Sequence, residues 1–86
     1  MPKLNWRIIA SNIAEAREQL QAIEQRVEAG ELPNEAELEI AIRHAYHHLN
    51  CAWNVRHTST KRYASLSDDD FREWGRFPQG LDSASP

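Results

Sequence analysis

The chain has 86 residues, 41% apolar and 27% charged, with three glycines, four prolines and one cysteine. That composition excludes a wholly disordered chain and an internal disulfide framework, and no apolar run approaches the roughly 20 residues that cross a bilayer. A net charge of −3 argues against nucleic acid as a partner, and Ile8-Ile9-Ala10 is too short for the apolar core of a signal peptide. The expectation is a cytoplasmic all-α protein with no membrane contact, one domain over residues 1–80 and a disordered tail over 81–86.

The first helix is predicted from about Leu4 or Asn5 to Ala29. Its larger apolar residues are Trp6, Ile9, Ile13, Leu20, Ile23 and Val27, with Ala16 between them. The alternating steps of three and four are those of a heptad seam. Gly30 stands where a left-handed residue ends a helix, with Leu32 as the apolar contact of a Schellman ending, and Pro33 prevents continuation.

Asn34 with Glu37 has capping-box spacing, and Glu35, Glu37 and Glu39 suit the positive end of a second helix. The helical pattern from Asn34 to Thr58 holds all four histidines, the only cysteine and Trp53. Its seam reads Leu38, Ile42, Ala45, Leu49, Ala52, Arg56. A loop this short makes the helices antiparallel neighbours. Pairing in which residue numbers sum to about 65 sets large against small in successive layers, such as Leu20–Ala45, Ala16–Leu49 and Ile13–Ala52. Glutamates gather at the turn, whereas Lys3, Arg7, Arg56, Lys61 and Arg62 gather at the open end.

From Ser59 to Ser65 the pattern lapses and reads as a linker. Ser67 with Asp70 marks a further short helix, with Asp68, Asp69 and Asp70 in its first turn. Phe71, Trp74 and Phe77 supply its apolar stripe. They either cap the open end of the hairpin or serve as anchors for a protein partner.

An isolated helical hairpin of this size is marginal. The expected solution is a homodimer in the form of a four-helix bundle, with Leu4, Ile8, Ile40, Tyr46 and Val55 as the outward residues available for the interface.

Chemistry is concentrated on the second helix. His44, His47 and Cys51, at spacings i, i+3 and i+7, project to one side and form a candidate metal-ligand set. The basic open end, Arg56, His57, Lys61 and Arg62 beside Trp53 and Tyr63, is a candidate phosphate grip, with the aspartates close enough to neutralise it. No paired catalytic carboxylates, activated serine or glycine-rich phosphate loop is found, and no cofactor is implied. His57 and Ser59 lack an orienting acid. The principal expectation is therefore a non-enzymatic interaction or structural protein acting as a homo-oligomer.

The run Arg43-His44-Ala45-Tyr46-His47-His48 resembles the R-x4-H motif of the HEPN ribonucleases, an all-helical family. The resemblance spans these six residues. It implies Arg43 and His48 acting on a phosphodiester, usually across a dimer. Members of that family are longer, with four or more helices per chain.

Overall fold

A computed structural model describes residues 3–78. The elements are α1 (Trp6–Glu28), α2 (Glu35–Asn54), α3 (Thr60–Ala64) and α4 (Asp68–Trp74). No strand occurs among the described residues, and none of their helices is long and apolar enough to cross a membrane. The expected tail, 81–86, lies outside the described residues.

The turn follows from local chemistry. Gly30 adopts φ 77°, the left-handed conformation that costs glycine least. Its N–H bonds to Val27 O at 3.1 Å, and the Glu31 N–H bonds to Arg26 O at 2.9 Å. These are the paired bonds of a Schellman ending. Leu32 does not complete it as expected, because its side chain is 72% exposed. Asn34 then opens α2 with a full capping box: its Oδ1 accepts from Glu37 N at 2.8 Å, while Glu37 Oε1 accepts from Asn34 N at 3.1 Å. The same carboxylate takes the Arg26 guanidinium at 2.6 Å, so the cap is tied to the end of α1.

At the other end Asn5 performs two tasks. Its Oδ1 caps α1 by accepting from Ile8 N at 3.4 Å. Its backbone N–H donates to Arg56 O at 2.6 Å, and its amide donates to Thr58 O at 2.8 Å. The hairpin is therefore pinned at both ends, and α1 and α2 run antiparallel.

The helices pair through only part of the expected seam: Ile9, Ala16, Ile23, Ala45 and Ala52 are covered, while its other large apolar residues are not. Ala16, Ala41, Ala45 and Ala52 are buried, as are Ile9 and Asn12. On α1 the covered row is Asn5, Ile9, Asn12, Ala16, Gln19, Ile23 and Arg26. At alternate positions this row lies one residue before the expected one. Ile13, Leu20, Val27, Leu38, Ile42 and Leu49 are left half-exposed on one flank, together with Trp6 and Trp53. Two causes act together. Alanines let the backbones approach more closely than facing leucines do. The opposite flank also has something to bury, since Ile8, Asn50, Cys51 and Val55 are covered there beside the chain that follows α2.

That following chain is more ordered than a linker. Ser59 caps α3, its Oγ accepting from Arg62 N at 3.1 Å. Ser67 caps α4 in the expected box with Asp70, at 3.2 and 3.0 Å. Arg62 reaches the Asp70 carboxylate at 2.8 Å, which joins the two short helices.

Candidate functional site

The flank that carries α3 and α4 also carries the histidines. At its centre is Asn12, 1% exposed. Its Nδ2 donates to Ile8 O at 3.1 Å and to the Tyr63 hydroxyl at 3.3 Å. With the amide nitrogen so engaged, Oδ1 is left to face His48 Nδ1 at 2.8 Å. An amide oxygen only accepts, so the proton resides on His48 Nδ1 and the lone pair on Nε2. That Nε2 stands 3.0 Å from His44 Nε2, the partner one turn earlier on the same helix face. Glu15 of α1 completes the group: one carboxylate oxygen and the two imidazole nitrogens all lie within 4.8 Å of one another.

His47 belongs to a different environment. Its ring stacks on Phe71 with centroids 4.1 Å apart and planes 28° from parallel. Its Nε2 lies 3.4 Å from Cys51 Sγ, and a Cβ added at Gly75 would collide with its Nδ1. The set expected from spacing, His44, His47 and Cys51, is thus not brought together. Docking of α4 draws His47 toward Phe71 and Cys51, while His44 turns to His48. Burial pushes the Cys51 thiol up to about 11, which keeps it protonated at neutral pH and a poor ligand. Burial, then the neighbouring imidazoles His48 and His44, lowers the His47 pKa. Burial and His44 lower that of His48, with Glu15 opposing.

The aromatic tail packs in cis. Asn54 Nδ2 donates to Trp74 O at 2.7 Å and Arg76 O at 2.9 Å, and Asn50 Nδ2 donates to Gly75 O at 2.9 Å. Trp74 stacks on Tyr63 with centroids 5.6 Å apart. Of the three residues considered as partner anchors, Trp74 is half-buried in this contact, while Phe71 and Phe77 keep about half their surface exposed.

The basic open end is largely engaged inside the chain. The Arg56 guanidinium lies 4.0 Å over the Trp53 ring, Arg62 pairs with Asp70, and His57 Nδ1 lies 3.2 Å from Lys3 O. Arg43 and His48, nominated by the ribonuclease-like motif, border one shallow depression with His44, His47 and Phe71. Arg43, however, pairs with Glu39 at 3.4 Å, and His48 is turned to Asn12.

On the other flank the exposed residues form a long apolar face. Ile13 and Leu49 sit at its middle, bordered by Leu20 toward the turn and by Trp6 and Trp53 toward the open end. Exposure of its large residues runs from 40% at Leu20 to 64% at Trp6. Leu4, one of the residues expected at an interface, lines this face. Ile8 and Val55 do not qualify, because both are buried within the single chain. Ile40 lies on the histidine flank beside Gln19 and Ile23, and Tyr46 is half-exposed on α2. Sequence reasoning missed the face because the same heptad pattern serves equally for contact within a chain and between chains.

Comparison with protein-family models, curated proteins and solved structures returns no match for this chain.

Proposed function

We propose that the chain is a non-enzymatic helical assembly module that self-associates through the apolar face of α1 and α2, forming a four-helix bundle from two copies. The observation that carries this reading is the unpartnered row Trp6, Ile13, Leu20, Leu38, Ile42 and Leu49, half-exposed although it repeats with heptad spacing. An apolar stripe of that regularity on a lone hairpin is more than a soluble monomer ordinarily leaves in water.

Size supports a second copy as the occupant. An α1 of 23 residues is about 35 Å long, and two adjacent helices are about 20 Å wide. The footprint is thus on the order of 700 Å², close to the roughly 800 Å² per partner of a standard interface. Charge supports it too. Glu24, Glu28, Glu31 and Glu35 cluster at the turn, while Lys3, Arg7 and Arg56 lie at the open end. Two copies laid antiparallel bring each acidic turn beside the other's basic end.

Light scattering on variants tests the face. Leu49→Asp and Ile42→Asp place a charge on it and are expected to give a one-chain mass with helix content retained. Ile40→Asp, 67% exposed on the other flank, is expected to leave a two-chain mass. Equal behaviour of all three variants contradicts the proposal.

A further inference from the structure

The histidine flank offers a second site, separate from the apolar face. We infer that Glu15, His44 and His48 form a divalent-metal site of zinc type that bridges α1 and α2.

The donor set suits that ion. Two neutral imidazoles and a carboxylate are the ligands of an open zinc site, with water in the remaining position. Imidazole selects zinc and its neighbours in the transition series over calcium and magnesium, which prefer all-oxygen shells.

Distance agrees. Two nitrogens each about 2.0–2.1 Å from a tetrahedral zinc stand about 3.3–3.4 Å apart. The two Nε2 atoms stand 3.0 Å apart, so a small opening of the pair, by about 0.3–0.4 Å, admits the ion. Their i, i+4 spacing holds them on one helix face in adjacent turns. The Glu15 oxygen, within 4.8 Å of both, belongs to an exposed side chain that is free to change rotamer and close the gap.

The support behind the ligands points the same way. A metal-bound histidine donates its other ring N–H to an acceptor that fixes tautomer and orientation. Asn12 is that acceptor for His48: it is buried, its nitrogen is engaged elsewhere, and its Oδ1 receives Nδ1–H at 2.8 Å. The Nε2 lone pair of His48 is thereby aimed at the site. His44 is exposed, and its ring presents Nε2 in the same way in the tautomer that carries its proton on Nδ1.

The experiment uses the full chain without an affinity tag, stripped of metal and titrated with zinc alone by calorimetry, with thermal melts in parallel. One zinc per chain is expected, together with a higher melting temperature, because the metal binds only the folded arrangement. Loss of an outer acceptor costs about 10–100-fold in affinity, and Glu15→Gln or His44→Ala removes a direct ligand. Each is therefore expected to weaken binding by at least about 100-fold. Both positions are exposed, and unchanged far-ultraviolet dichroism verifies that the variants fold. Cobalt in place of zinc is expected to show d–d bands without a thiolate charge-transfer band. Absence of zinc uptake, uptake by either variant equal to that of the unaltered chain, or a thiolate band implicating Cys51 overturns the inference.

Discussion

The Nδ1–H of His48 donates to Asn12 Oδ1 at 2.8 Å, joining the middle of α2 to the middle of α1 through a side chain that is 1% exposed. A polar contact occupies the line where a heptad seam would place an apolar pair. Removing it leaves the Tyr63 hydroxyl and His48 Nδ1 without a partner. Asn12→Ala is expected to cost about 2–3 kcal/mol, the combined effect of a small cavity and a buried group left unpaired. Urea unfolding measures it. A double-mutant cycle with His48→Ala is expected to show coupling of at least about 0.5 kcal/mol.

Gly75 matters for space rather than for backbone conformation. Its φ of −85° suits any residue, and alanine there would ordinarily add about 0.4–1 kcal/mol by restricting the unfolded chain. The added Cβ, however, meets His47 Nδ1, and His47 is held between Phe71 and Cys51. Gly75→Ala is therefore expected to destabilise, by about 1–3 kcal/mol. Thermal melts followed by tryptophan fluorescence give the sign.

Acid is expected to loosen both caps. The Glu37 pKa is lowered by the Arg26 hydrogen bond and then by the Asn34 N–H. That of Asp70 is lowered by the Ser67 N–H and then by Arg62. A carboxyl whose pKa is lower in the folded chain contributes stability that is full above its unfolded pKa and is lost as pH falls through the folded one. The melting temperature is expected to decline below about pH 4.5. The double variant Glu37→Gln, Asp70→Asn should flatten that decline, and an equally steep decline would show that other carboxyls cause it.

Cys51 is expected to be inert. With its thiol raised to about 11, the thiolate fraction near pH 8 is about 100-fold below that of an ordinary cysteine. Alkylation by iodoacetamide is expected to be slower by at least that factor in the folded chain than in urea.

The ends of the helices were legible because their determinants are local. Gly30 takes the left-handed angle that the pattern asks of it, and Asn34–Glu37 and Ser67–Asp70 form the boxes that their spacing announces. The rotation of α1 against α2 was not legible. Ile9, Ala16 and Ile23 belong both to the expected seam and to the observed row, so periodicity does not choose between them. The choice falls to Asn12 and His48, whose complementarity depends on residues 36 apart in sequence. The candidate metal group shows the same limit. His44 was identified from its spacing, but Glu15 enters only through packing, and His47 and Cys51 leave because α4 docks beside them. The lapse of apolar pattern over α3 reads as a linker, yet Ser59 has the same spacing to Arg62 as the other caps have to their partners and opens a helix.

The mass of the untagged chain at micromolar concentration, measured by native mass spectrometry, tests the central claim most directly. A mass of two chains is predicted, collapsing to one in Leu49→Asp and persisting in Ile40→Asp. A mass of one chain for the unaltered protein would contradict self-association and leave the apolar face to a different partner.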